Sequence, residues 1–234
     1  MIFATSAYAV VEKPPGLLSV PGKGENKQDC AAARVRAMFP EATGPLVVHR
    51  LDMETSGLMV FGLTADAQRA LSMQFERRVP RKKYVAVLDG ATELGVGEEG
   101  EVNLPMRADV EHRPWKMIDY LNGRAALTRY RVLGRSAGEA GGGGKERFEK
   151  VRTRVELEPV TGRAHQLRLH AATARQQGGL GCPIVGDPLY GHTGLFLGGR
   201  HERERLMLHA KYLSFLDVVS GERVEFWSEG GFGN

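Results

Sequence analysis

The chain is poor in cysteine. Its two, Cys30 and Cys182, have no CxxC neighbour, so neither a disulfide framework nor a thiolate zinc site is expected, and a reducing compartment fits. No run of about 18 apolar residues occurs, which argues against a membrane-spanning helix. The opening stretch 1–5 has neither a basic n-region nor a long apolar h-region, and a strand-like alternation begins by Tyr8. No targeting peptide is therefore expected in the visible chain, and a leader trimmed from a precursor is left open. Charge of one sign is not in large excess. Lys plus Arg number 32 against 28 for Asp plus Glu, a net charge of +4, and the pI is near 9.1. That balance is compatible with a nucleic-acid partner without establishing one. There is no internal repeat, and no linker long enough to separate independent domains.

What is present suits one domain, or two closely packed subdomains, with a sizeable core: 234 residues, 42% hydrophobic and 26% charged. Residues 8–13 read as a strand that ends at Pro14-Pro15-Gly16. Residues 19–28 read as a polar loop, and 29–38 as a helix stopping before Pro40. The segment 53–57 reads as a turn and 58–63 as a buried strand. Thr64 can cap a helix over 65–77, with Ala67, Leu71 and Phe75 on one face. Another strand is predicted over 83–88, followed by a glycine-rich acidic connection over 89–101. Residues 125–133 and 151–158 alternate as a paired hairpin would, and 134–146 between them reads as a flexible surface insertion. A helix is predicted over 165–175, and closing strands over 206–217 and 223–227. The class is α+β, with a mixed, largely antiparallel sheet and flanking helices.

Four segments can carry chemistry. The first is Val48-His49-Arg50-Leu51-Asp52-Met53-Glu54-Thr55-Ser56-Gly57, a carboxylate beside an arginine in a turn between apolar stretches. From spacing alone, an Arg–Asp pair tying the turn is the simpler reading. The second is Arg81-Lys82-Lys83-Tyr84, a basic run ending in an aromatic hydroxyl at the start of a strand. The third runs from Gly162 to His170, where His165 and Arg168 would share a helix face; by itself it reads as an amphipathic helix with a solvated basic face. The fourth, Pro183 to Gly191, marks a tight turn.

Together these segments resemble the RluA-type pseudouridine synthases. Residues 49–57 look like that family's HRLDxxTSG signature, and 162–170 like its GRxHQxRxH segment. Lys13-Pro14-Pro15-Gly16 with Leu17, Leu18 and Val20, then Lys83-x-Tyr84, the 183–191 turn and Leu206-Met207-Leu208-His209-Ala210 follow in the family's order. The resemblance spans roughly 8–227, and the two long motifs at this separation are a specific joint signal.

The resemblance implies an enzyme that cleaves the uridine N-glycosidic bond, turns the base and rejoins it through carbon, with no cofactor and no metal. It implies two subdomains around a central catalytic cleft, a single catalytic domain over 1–234, and no separate RNA-binding module at the N-terminus. Asp52 is the implied nucleophile, since covalent addition splits one hard step into easier ones. Arg168 is the implied cation beside it, favouring the charged carboxylate. Tyr84 is implied to stack on the target base and is a candidate general base; a free tyrosine titrates near ~10, so its proton transfer would be concerted or assisted. Arg50 is implied to enter the RNA where the target base has left, a role suited to a planar guanidinium. Lys83, Arg163, His49 and His165 are the further RNA-side candidates, with the two histidines expected to orient backbone rather than to react.

The implied partner is tRNA or rRNA, read in a stem-loop, with a monomer, no membrane and a cytoplasmic or organellar location expected. Ala164 departs from the family's usual threonine or serine. Residues 176–180 lengthen one connection, and 134–146 is unusually glycine-rich. These differences bear on which RNA is used.

Other chemistries fit poorly. A P-loop near Gly144-Lys145 fails because Glu139 stands where the first glycine is needed and Glu146 replaces Ser or Thr. His165 and His170 are five apart, unlike the i, i+4 pair of a zinc hydrolase. No GxSxG elbow surrounds Ser56. Two alternatives stay open: a catalytically silent RNA-binding or ribosome-assembly factor on the same fold, and a nucleoside hydrolase that cleaves without rejoining.

Overall fold

In the computed structural model, which describes residues 1–90, 94–138, 150–191 and 204–230, the elements run in this order. Strands β1 (Phe3–Ala4) and β2 (Tyr8–Lys13) come first, then helix α1 (Ala31–Met38), strand β3 (Ser56–Gly62) and helix α2 (Ala65–Glu76). Strands β4 (Arg81–Asp89), β5 (Glu99–Asn103), β6 (Met106–Ala108) and β7 (Lys116–Ile118) follow. The long strands β8 (Leu127–Gly138) and β9 (Lys150–Pro159) precede helix α3 (Gln166–Ala172), and β10 (Leu208–Leu216) and β11 (Arg223–Trp227) close the chain. The chain divides into two compact units, 1–83 with 209–234, and 84–208.

In the first unit β2 lies antiparallel to β3, from Tyr8 opposite Gly62 to Lys13 opposite Gly57. β3 pairs in parallel with β10, Ser56 opposite His209, and β11 runs antiparallel to β10. All seven residues of β3 are buried, as its uninterrupted Leu-Met-Val-Phe run requires. Leu58 and Val60 pack with Tyr8, Val10, Leu71, Leu213 and Phe215, while Met59 and Phe61 alternate to the other, equally buried face. The Thr64 hydroxyl accepts the Ala67 N–H at 3.1 Å and starts α2 as expected. Two glycines let backbones meet. A Cβ at Gly62 would come within 2.4 Å of Gln68 in α2, and one at Gly57, whose φ is +117°, within 2.4 Å of the Ala210 carbonyl in β10.

In the second unit β8 and β9 form the predicted hairpin, flanked by β5 on β8 and by β4 on β9, all antiparallel. Ala86, Leu88, Val132, Val155, Leu157 and Leu167 sit in its core, with Tyr84 packed against them. The hairpin is longer than expected. Residues 134–138, read as part of a surface insertion, continue β8 past a bulge at Leu133 and pair with 150–154. Cross-strand pairing outweighs the weak strand preference of Gly134 and Gly138; the rest of the insertion, 139–149, lies outside the described residues. β5 occupies the end of the predicted acidic connection, and the short ribbon β6–β7 was not foreseen.

The helix expected over 165–175 spans only Gln166–Ala172. His165 caps it in the left-handed region (φ 60°), Thr173 is extended, and a single 3₁₀ turn follows at Arg175–Gln177. Residues 166–171 are all buried, so α3 has no solvated basic face. The parallel β3–β10 pair beside the antiparallel β2–β3 and β10–β11 pairs, with three α-helices among the described residues, is the mixed α+β arrangement expected.

Candidate active site

The loop that carries Asp52 is built from below by a buried lysine. Lys13 is 1% exposed, and its ammonium donates to the carbonyls of Leu17 at 2.7 Å and of Pro14 and Met53 at 2.9 Å each. Burial pushes its pKa down to about 8, a shift that the charges of Glu54 and Asp52 oppose. From the other side Ser19 grips Leu51 twice: its hydroxyl donates to the Leu51 carbonyl at 2.6 Å and accepts the Leu51 N–H at 3.0 Å. The Asp52 carbonyl accepts the Thr55 N–H at 3.1 Å, which makes 52–55 a turn. Both neighbours of Asp52 are thus fixed through their backbones, and Asp52 itself is half-buried. Arg50, two residues earlier, is exposed.

His49 faces inward. Its Nε2 accepts the Val60 N–H at 3.1 Å, and its ring stacks on Phe75 with centroids 4.4 Å apart. Burial and the charge of Lys82 hold its pKa near 3, so it is neutral and able to accept. Its contact is with the backbone of β3, through the Val60 N–H. Beyond the turn, Ser56 Oγ lies 2.9 Å from His209 Nδ1, and His209 Nε2 lies 3.0 Å from Ser228 Oγ. This buried chain ties the TSG end of the loop to β10 and to the segment after β11. In the sequence this histidine stands out only as part of the Leu206–Ala210 segment.

In the second unit Tyr84 lies on β4 opposite Leu157, half-buried at the edge of the core, and Lys83 precedes it, also half-buried. Arg163 Nε donates to the Ala125 carbonyl at 3.2 Å. The Gln166 amide is fully used. Its Nε2 donates to the Leu127 carbonyl and Thr128 Oγ1, and its Oε1 accepts from Thr161 Oγ1 and the Arg163 N–H. This side chain locks the start of α3 to the start of β8. His170 Nδ1 lies 3.0 Å from Thr128 Oγ1 and its Nε2 3.2 Å from the Leu104 carbonyl. Burial pushes its pKa down to about 4, against the pull of the Leu104 carbonyl.

Arg168 is 3% exposed. Its Nε donates to Asp187 Oδ2 at 2.8 Å and its Nη2 to Oδ1 at 2.7 Å, a two-pronged pair. Burial raises the Asp187 carboxyl, but the bonds and charge of Arg168 and the N–H groups of Tyr190 and Leu189 outweigh it, so its pKa ends below the usual value. The guanidinium carbon sits 5.4 Å from the centroid of the Tyr190 ring. His165 and Arg168 do come together, but at Tyr190 rather than along a helix face: His165 Nδ1 is 3.0 Å from the Tyr190 hydroxyl. The sequence reading singled out the 183–191 turn without finding Asp187 as a partner of Arg168. A turn motif rich in Gly and Pro with one internal carboxylate was the available signal.

Comparisons with known proteins converge. The sequence profile described as RNA pseudouridylate synthase matches residues 7–173. The dual-specificity RNA pseudouridine synthase RluA of Haemophilus influenzae is 39% identical over 232 residues, covering 99% of this chain and 93% of that protein. The protein of the same name from Escherichia coli is 38% identical over 232 residues, with the same coverage of both chains. Among solved structures, human RNA pseudouridylate synthase domain containing 1 aligns with a TM-score of 0.71 at 28% identity, over 97% of this chain and 81% of that one. Both signature segments fall inside the matched region, and the chain belongs to the RNA pseudouridylate synthase family, isomerases that act on RNA.

Proposed function

We propose that the protein converts uridine to pseudouridine in stem-loops of both tRNA and rRNA, with Asp52 as the nucleophile. The observation that carries this reading is the construction of the Asp52 loop. Lys13 and Ser19 clamp the residues on either side of Asp52 through main-chain carbonyls and an N–H. A carboxylate whose backbone is fixed before substrate arrives loses little freedom in the reaction. The relatives named dual-specificity enzymes support a choice of more than one RNA.

In the reaction the N1–C1′ bond breaks, the base turns, and a C5–C1′ bond forms. The C5 proton leaves and N1 takes one up, so substrate and product are isomers. Asp52 adds covalently and then departs. Tyr84 stacks on the target base and assists loss of the C5 proton. Arg168 supplies the cation for Asp52. A guanidinium has five N–H donors and Asp187 takes two, so one group can serve both carboxylates. Arg50, exposed on the same loop, fills the gap left by the flipped base, and Arg163, His165 and Lys83 contribute on the RNA side. Unstacking is cheapest in loops, which favours a stem-loop substrate. The protein acts as a monomer in the cytoplasm or an organelle.

The test is tritium release from 5-³H-uridine transcripts of a tRNA set and of large-subunit ribosomal RNA, comparing wild type with Asp52→Ala. Release by wild type alone, with RNA affinity of the variant within about tenfold because phosphate contacts dominate binding, is expected. Release by Asp52→Ala at the wild-type rate would overturn the nucleophile assignment. Release confined to one RNA class would overturn the dual choice.

A further inference from the structure

Arg168 is gripped more tightly than a cation needs if its only task is to lie near an anion. Its fork meets both oxygens of Asp187, and the two side chains are 4% and 0% exposed. The Asp187 carboxylate is itself held: Oδ1 accepts the N–H groups of Leu189 at 2.9 Å and Tyr190 at 3.0 Å. One face of the guanidinium rests on the Tyr190 ring. That ring is fixed at its far end, where the hydroxyl accepts the Lys116 N–H at 2.9 Å and meets His165 Nδ1 at 3.0 Å. Trp115 packs edge-on against it, centroids 5.6 Å apart. The guanidinium is constrained in its plane by the carboxylate and across its plane by the ring.

We propose that Asp187 and Tyr190 are positioning residues that set the orientation of the Arg168 guanidinium for the reaction; this rests on the reading of Arg168 as the cation serving Asp52. A buried ion pair is weak evidence for stability, because desolvation offsets much of the attraction. A doubly anchored fork is better suited to fixing direction. Asp187 also cancels much of the net charge of Arg168. What Arg168 offers a second carboxylate is then aimed N–H donors rather than a bare positive charge, which lysine cannot reproduce. The 183–191 turn supplies both Asp187 and Tyr190, and β7 and the start of α3 meet at the Tyr190 hydroxyl.

The experiment measures single-turnover tritium release at saturating enzyme, and the RNA dissociation constant, on a 5-³H-uridine transcript that the wild-type protein converts. Variants are Asp187→Asn, Tyr190→Phe, Tyr190→Leu, Arg168→Lys and the double variant Asp187→Asn/Arg168→Lys. Asp187→Asn should lower the single-turnover rate by at least about tenfold and leave RNA binding within about threefold. Tyr190→Leu should lose more rate than Tyr190→Phe, which keeps the ring. The double variant should be no slower than Arg168→Lys alone, since Asp187 acts through Arg168.

A folded Asp187→Asn protein at the wild-type rate, or rate losses that multiply in the double variant, would overturn the proposal. Should Asp187→Asn fail to fold, Tyr190→Leu decides in the same way: a wild-type rate overturns it. Arg168→Ala, measured alongside, separates the two readings: a wild-type rate there removes Arg168 from the reaction altogether, whereas a crippled Arg168→Ala beside a normal Asp187→Asn or a normal Arg168→Lys sinks only the positioning role.

Discussion

The ammonium of Lys13 donates to the carbonyl of Met53, the residue after Asp52, across 2.9 Å. With the Pro14 and Leu17 carbonyls as its other acceptors, this one group joins the end of β2 to the loop that carries Asp52. Lys13→Met keeps the apolar stem and leaves three carbonyls without that donor. The expected loss is several kcal/mol, at about 1–3 kcal/mol per abandoned group, read as a lower urea midpoint. Lys13→Arg should not restore it, because a planar fork cannot reach three carbonyls arranged around a point. A Lys13→Met protein as stable as wild type would show that water replaces the ammonium.

Two glycines with positive φ should respond differently to alanine. At Gly57 the added methyl would meet the Ala210 backbone at 2.4 to 2.5 Å, where β3 and β10 run side by side. Gly57→Ala is expected to leave the chain insoluble, or destabilised beyond about 4 kcal/mol. At Gly16 (φ +76°) no atom lies within 4 Å of the added methyl. Gly16→Ala should cost only the left-handed backbone penalty of about 1–2 kcal/mol and fold normally. Equal losses at the two sites, measured by chemical denaturation, would contradict this account of the β3–β10 contact.

His170 gives a defined acid response. Its pKa is about 4 in the fold against the ordinary 6.5. Below about 6.5 the unfolded chain takes up a proton that the folded one does not. Stability is therefore full above that pH, falls on acidification, and stops falling from this source near pH 4. The slope from one such group is at most about 1.4 kcal/mol per pH unit. Urea midpoints between pH 7 and pH 5 should drop more steeply in wild type than in His170→Gln, by about one proton's worth. Parallel slopes would place the acid sensitivity elsewhere.

Local signals in the sequence were reliable where the outcome is decided locally. β2 ends at the first proline of Pro14-Pro15-Gly16, because a proline cannot continue the ladder. Thr64 starts α2 because its hydroxyl meets an otherwise orphaned N–H. The strand ending in Gly138 was missed because its support comes from β9 across the hairpin, not from its own composition. α3 was drawn too long because the backbone of His165 and Thr173 is dictated by neighbours. His165 is left-handed and its ring is held by the Tyr190 hydroxyl.

The signature motifs named Asp52, Tyr84 and Arg168 without saying what holds them. The partners Lys13 and Asp187 sit in segments already noted, but a pairing such as Arg168 with Asp187, 19 positions apart, depends on the turn that lies between them. The polar residues of β5 and the three-residue lengths of β6 and β7 hide strand pairing in the same way, since their register is set by partners rather than by alternation.

The first unit is assembled from both ends of the chain, 1–83 and 209–234, and the second from the uninterrupted stretch 84–208. Ser56 meets His209 153 positions later. During synthesis from the N-terminus, β3 must wait for β10 with one edge unpaired and all seven of its residues destined for burial. The β8–β9 hairpin and its core, by contrast, have their partners close at hand. Loop closure over so long a span is slow, and an unpaired apolar strand invites aggregation while it lasts. A released chain truncated after Leu208 would carry the whole second unit and a first unit without β10 and β11, so the period of greatest vulnerability to misfolding ends only as the last strands leave the exit tunnel.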